Sequence, residues 1–269
     1  KFDNSPIISK KPNYKRLKQL GKENVIALIV ESLYAHQEGK TPSEKVAKEL
    51  LKDVILGTEN SNNAIIATTF ASHIARLKSI AEFGQKLNRK VIFLGRSMLK
   101  YIKAAENLKL IDLSKKHEII GYADEIKKKL RYIEKQGRDK YLIICTGGQG
   151  EPGSILDKIA SNQLPFEFLK EDHVIFSNRT IPADINIKNR EKLENALHNK
   201  HVRVFKNVHS SGHAFREDLR DLINMVKPKN IIPAHGPLEK LNNLANLAYD
   251  IGYSKKEVHV MSNGKNVNI

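Results

Sequence analysis

Tryptophan is absent from this chain, and cysteine occurs once, as Cys145 in the apolar run Tyr141-Leu142-Ile143-Ile144-Cys145. A lone thiol excludes a disulfide within the chain and any cysteine-rich zinc site, and a reducing, intracellular compartment is the expected setting. No apolar stretch approaches the ~20 residues that span a bilayer, and the amino terminus has no basic segment leading into an apolar core and a cleavage site. A soluble, cytoplasmic protein with no membrane partner is expected. Acids are also scarce: 30 Asp and Glu stand against 46 Lys and Arg, a formal net charge of +16. The bases run from Lys10 to Lys265 and form no tail, so a folded basic surface that attracts RNA or DNA is expected. Lysine enrichment of a thermophilic kind would produce the same balance, so charge alone does not choose.

At 269 residues the chain can hold one large domain or two ordinary ones, and two are expected. Apolar runs of strand length fall at Val25 to Val30, Ala64 to Thr68, Lys90 to Leu94, Tyr141 to Thr146, His173 to Ser177, Arg203 to Phe205, Asn230 to Pro233 and Val258 to Met261. Between them lie helical patterns. Ser43 to Leu56 follows Pro42 and carries Val46, Ala47, Leu50, Leu51, Val54 and Ile55 on one face. Ala71 to Leu87, Ser97 to Leu108, Ala123 to Gln136, Ile155 to Ala160, Lys188 to His198, Phe215 to Met225 and Leu238 to Gly252 read similarly. Strand alternates with helix, which predicts an α/β fold with largely parallel sheets.

Chemistry concentrates at strand ends. The segments His209-Ser210-Ser211-Gly212-His213-Ala214 and Pro233-Ala234-His235-Gly236 place three histidines near two strand ends, separated by one amphipathic helix, so that two distant loops can share a pocket. A histidine held between Pro and Gly suits a metal ligand or a phosphate contact. Glu31 closes the strand Val25 to Val30 and is expected to partner His213, orienting its imidazole for a general acid's role. The turn Thr146-Gly147-Gly148-Gln149-Gly150-Glu151-Pro152-Gly153-Ser154 joins a strand to a helix and could expose amides to a phosphate. It has neither the Gly-Lys-Ser/Thr of a P-loop nor dinucleotide spacing, and a plain tight turn is an equal reading. The junctions at Thr69-Phe70-Ala71-Ser72 and Gly95-Arg96-Ser97-Met98 could hold phosphates through hydroxyls and arginine, or serve as ordinary helix caps.

These junctions, with Glu31-Ser32-Leu33 and Thr41-Pro42-Ser43-Glu44, run in an order that resembles the β-CASP subgroup of the metallo-β-lactamase-fold nucleases, and within it ribonuclease J of the archaeal type. The resemblance covers essentially the whole chain. It implies part of a metallo-β-lactamase αββα fold with an inserted β-CASP domain: residues 1–40 as the end of the first domain, 41–199 as the β-CASP domain and 200–269 as the return segment. It implies a zinc-dependent ribonuclease, chiefly a 5′-to-3′ exonuclease with endonuclease activity beside it, working on single-stranded RNA as a homodimer in the cytoplasm. Glu31 and His213 would be catalytic, and His235 would ligate zinc. His209, Ser210, Ser211, Gly212 and His213, with Gly148 and Ser72, would contact the substrate. Gly148 stands where bacterial relatives are expected to have serine.

One departure is large. No His-x-His-x-Asp-His occurs in the chain, although that motif supplies most ligands of the family's two zincs. A catalytic zinc needs about three protein ligands and an open position. Because Lys1-Phe2-Asp3-Asn4-Ser5-Pro6 reads as the middle of a strand and turn, the chain is expected to be the carboxyl-terminal part of such a nuclease, inactive by itself. Two rivals remain: a non-catalytic RNA-binding module or subunit, and an endoribonuclease of the polyadenylation-factor type.

Overall fold

The computed structural model describes residues 1–269 and divides them into two compact units, residues 44–209 and residues 1–43 with 210–269. The 44–209 unit is built on six parallel strands: β2 (Ile65–Thr68), β3 (Lys90–Leu94), β4 (Glu118–Ile120), β5 (Tyr141–Cys145), β6 (His173–Phe176) and β7 (Arg203–Phe205). Their order across the sheet is β4-β3-β5-β2-β6-β7. Alternate residues of the central strands enter two cores. Ile66, Ile143, Cys145, Val174 and Phe176 pack on one face with Ile126, Leu130 and Ile133 of α5 (Ala123–Gln136) and with α6 (Ile155–Ala160). Ile65, Ala67, Leu142, Ile144 and Ile175 pack on the other with α2 (Glu44–Leu56), α3 (Ile74–Lys86) and α4 (Arg96–Asn107). Burial on both faces is why these strands read as unbroken apolar runs in the sequence.

The other unit has two parallel strands, β1 (Ala27–Glu31) and β8 (Asn230–Ala234), with helices α1 (Tyr14–Leu20), α8 (Arg216–Val226) and α9 (Leu238–Asp250). Val30 and Ile231 join Leu219, Ile223, Leu244 and Leu247 in its core, while Ile29 on the opposite face of β1 is exposed.

The α/β class with parallel sheets is as expected, and several boundaries differ. Helix α1 and strand β4 have no counterpart among the sequence patterns. Helix α1 spans seven residues, none of them buried, and β4 is a three-residue edge strand, so neither carries enough period to register. Helix α7 (Asp184–Asn199) begins four residues before the expected Lys188. The strand expected at Val258 to Met261 is reduced to a single bridge, Ile231 with Val258. Ile231 N donates to Glu257 O (2.8 Å) and His259 N donates to Ile231 O (2.9 Å). The next rung would need an amide hydrogen from Pro233, which has none. Strand β7 pairs with β6, so residues 203–205 belong with the 44–209 sheet.

Candidate functional site

Strands β1 and β8 run parallel in a register that sets Glu31 beside Ala234, so both end at the same edge. The backbone N–H and the hydroxyl of Ser32 both donate to Ala234 O, each at 2.8 Å, and lock the two ends together. His235 follows at once in the left-handed region, with φ 59°. Gly236 then admits α9, since a Cβ there would stand 2.9 Å from Lys240 Cβ.

His213 is brought to this edge by the loop preceding α8. Its Nδ1 lies 2.5 Å from Glu31 Oε2, and Glu31 Oε1 accepts from Ala214 N at 3.0 Å. An ionised carboxylate only accepts, so the imidazole carries its hydrogen on Nδ1 and leaves Nε2 for another partner. The ring stacks on His235 with centroids 5.5 Å apart and planes 27° apart, and Tyr34 lies against it at 5.8 Å. Thr41 holds the loop: its hydroxyl donates to His213 O (2.9 Å) and accepts from Phe215 N (2.9 Å). Thr41 N donates to Asp218, which is buried in the first turn of α8. Ser211 Oγ accepts from His213 N at 3.1 Å, whereas the Ser210 hydroxyl is engaged by Pro42 O and by Lys1 Nζ. Gly212 is exposed, with open space where a Cβ would stand.

Zinc can be tested against these donors. Residues 1–269 bring together no group of three or more His, Cys, Asp or Glu side chains able to hold a metal ion. Of the two stacked imidazoles, that of His213 is held by Glu31. His235 is exposed and is the one remaining candidate ligand at this edge. The donors described here fall short of the about three that a catalytic zinc requires.

The other expected contacts lie in the 44–209 unit. Ser72 is exposed in the turn before α3. Gly148 is buried; its carbonyl accepts from Asn178 Nδ2 (2.9 Å) and from the Arg190 guanidinium (2.5 Å). The glycine-rich turn uses most of its own amides. Gln149 N donates to the Glu151 carboxylate, Gly150 N to Gly147 O, Gly153 N to the Asp157 carboxylate, Ser154 N to Glu151 O, and Leu156 N to Thr146 O. The chain's own carboxylates thus occupy two of the places a phosphate would take.

His209 closes this unit, with its Nδ1 buried and unpartnered. Burial first, and then the charges of Arg179 and Arg76, push its pKa down to about 4, so the ring is neutral near pH 7. Sequence reasoning missed what positions it. Arg76 donates to both carboxylate oxygens of buried Glu44 (2.5 and 2.9 Å) and to the carbonyl and hydroxyl of Ser177 (2.8 and 2.9 Å). Ser177 Oγ donates to Val208 O at 2.6 Å. The signal in the sequence is an acid in the first turn of one helix, Glu44 of α2, and an arginine in the first turn of the next, Arg76 of α3.

Two family descriptions match the chain: "Ribonuclease J, beta-CASP domain" over residues 62–195 and "Zn-dependent metallo-hydrolase RNA specificity domain" over residues 199–261. Ser72 and Gly148 fall in the first, His209 to His213 and His235 in the second, and Glu31 outside both. Among similar proteins, Ribonuclease J of Pyrococcus abyssi is 46% identical over 270 residues and that of Methanocaldococcus jannaschii 41% over 266, which is 100% and 98% of this chain. Ribonuclease J of Sinorhizobium meliloti is 33% identical over 260 residues, 94% of the chain and 43% of that protein. The chain spans 59% of the length of each of the two archaeal relatives.

Proposed function

We infer, because the chain belongs to the ribonuclease J family, that the protein carrying it is a zinc-dependent ribonuclease, chiefly a 5′-to-3′ exonuclease with endonuclease activity beside it. The observation that carries this reading is the pair Glu31 and His213 at the shared end of β1 and β8, with His235 stacked on the His213 ring. Glu31 accepts from Nδ1 and so directs His213 Nε2 towards the substrate, where it holds or transfers the proton of the leaving oxygen. His235 would supply one zinc ligand. The chemistry that about two zincs per subunit would supply is polarisation of the phosphodiester and a hydroxide nucleophile. The remaining donors are not among the groups that residues 1–269 bring together.

Single-stranded RNA as substrate is supported by the net charge of +16 and by the matched RNA specificity domain. A cytoplasmic homodimer is the proposed setting, by analogy with the family. The absence of a three-donor group favours one second reading, an RNA-binding module without catalysis. Zinc content and release of mononucleotides from 5′-monophosphorylated RNA by the full-length protein separate the two. About two zincs per chain and stepwise loss from the 5′ end support the ribonuclease. Salt-dependent RNA binding with neither zinc nor cleavage would leave the binding module.

A further inference from the structure

The connections leaving β2 and β5, neighbours in the sheet, run to α3 on one face and to α6 on the other. Such a divergence opens a crevice at the strands' carboxyl ends. A cavity of 340 Å³ lies there, lined among others by Thr69, Phe70, Ser97, Gly147, Gly148 and Glu151. That is the small end of the range for ligand sites, roughly 300–1,000 Å³, and it is room for a single flat group.

Its chemistry is unlike that of the chain around it. In a protein of net charge +16, no lysine, arginine or histidine lines this cavity, and its one charged group is the Glu151 carboxylate. A phosphate entering would meet that carboxylate with no cation to offset the repulsion, and two of the turn's amides, Gln149 N and Gly153 N, already serve carboxylates of the chain itself. What the cavity does present is an aromatic ring, Phe70, which is 40% exposed, and a carboxylate with only Oε2 engaged, by Gln149 N. An exposed aromatic ring and an acceptor in the same lining suit an unstacked base, which offers a π-face and N–H donors on its edge.

We propose that this cavity seats one nucleobase of the RNA strand, stacked on Phe70 and donating from its edge to Glu151. Guanine fits best, since its ring N–H and neighbouring amino group present two donors to one carboxylate, whereas uracil presents one. The inference rests on the reading of the protein as an RNA-binding ribonuclease, and it assigns this loop to a base instead of the phosphate that its glycines suggest.

The test is equilibrium binding of the full-length protein to a short phosphorothioate RNA in which each base in turn is removed, with guanosine or uridine restored at the sensitive position. One position should lose roughly ten-fold in affinity when abasic. Phe70→Leu should abolish that difference while leaving the abasic strand's affinity unchanged, and Glu151→Gln should erase the preference for guanine over uracil. Both side chains are exposed, so both variants should fold. A scan with no sensitive position, or variants that weaken the abasic strand as much as the intact one, would overturn the proposal and leave RNA binding standing. If the protein bound no RNA, the ribonuclease reading would fail, and titration with guanosine would test the cavity alone. Saturable binding lost in Phe70→Leu would uphold a base seat, and no binding would end it.

Discussion

Glu31 holds His213 at two points: one carboxylate oxygen meets Nδ1 at 2.5 Å while the other accepts from the next backbone amide, Ala214 N, at 3.0 Å. The same group therefore orients the ring and fixes the chain that carries it. Of the two ring nitrogens, Nδ1 is the one that Glu31 engages.

Replacing Glu31 separates these tasks. Glu31→Gln keeps an acceptor for the buried Ala214 amide and turns an amide NH₂ towards Nδ1, which shifts the ring hydrogen to Nε2. In the full-length protein the turnover rate should fall by ~10²–10⁴-fold with little change in melting temperature. Glu31→Ala should also lose about 1–3 kcal/mol of stability, read by urea titration, because Ala214 N–H is left without a partner. Equal loss of stability in both variants would mean that the ring contact, and not the amide, holds the loop.

Thr41 is the second support of that loop. Thr41→Val removes a donor to His213 O and an acceptor for Phe215 N, and should destabilise by about 1–3 kcal/mol, while Thr41→Ser should restore most of it. Matching denaturation curves for the Val and Ser variants would show that the hydroxyl is dispensable.

Acid should weaken the 44–209 unit in two windows. Burial, then the charges of Arg203 and Arg89, lower the His173 pKa to about 4, and both ring nitrogens lack partners. A depressed histidine pKa contributes stability that is complete above the unfolded value of 6.5 and is lost as pH falls from there towards 4. His173→Leu should remove its share of this acid sensitivity, His209 keeping the rest, without loss near pH 7, since it replaces two unpaired buried atoms by an apolar group. Thermal melts from pH 7 to pH 4 check this, and equal slopes for wild type and variant would refute it.

The second window belongs to Glu44. Burial alone would raise its pKa, but hydrogen bonds from His73 and Arg76 and the guanidinium charge overcome that and bring it down to about 2. Its contribution is therefore full above the unfolded value of 4.5 and disappears as pH falls from there towards 2. Arg76→Met would take the guanidinium away from the buried carboxylate and should cost about 3–5 kcal/mol at pH 7. A loss below about 1 kcal/mol would show that water replaces the guanidinium.

Gly148 should not accept a side chain. A Cβ there would stand 2.6 to 2.8 Å from the Asn178 amide group. Gly148→Ser should therefore destabilise by ~1–3 kcal/mol, and Asn178→Ala should relieve most of that loss in the double variant. Additive effects in the cycle would mean the two side chains do not meet.

Much of the architecture was legible because it depends on local pattern. The runs Tyr141 to Cys145 and His173 to Phe176 announced buried parallel strands, and Ala123 to Gln136 announced a helix with one apolar face, because alternation and helical period are properties of neighbouring residues. The candidate site was legible through its residue types, and the pairing of Glu31 with His213 was expected from them. Helix α1, strand β4 and the bond from Arg76 to Glu44 were not legible. The first two are too short to show a period, and the third joins residues 32 apart through a buried contact that composition does not record.

The sequence by itself determined the alternation of strand and helix, the basic balance, the lone thiol and the residue types able to hold protons or a metal. Tertiary structure alone decided which of them meet. Glu31 and His213 are 182 residues apart, and they touch because β1 and β8 pair in one register and Thr41 staples the intervening loop. It also decided that two amides of the glycine-rich turn serve the chain's own carboxylates, and that an exposed aromatic ring and an acid line the cavity where the sequence suggested a phosphate. Register and hydrogen-bond partnership are set by closure of the whole chain around its cores, which no local pattern encodes.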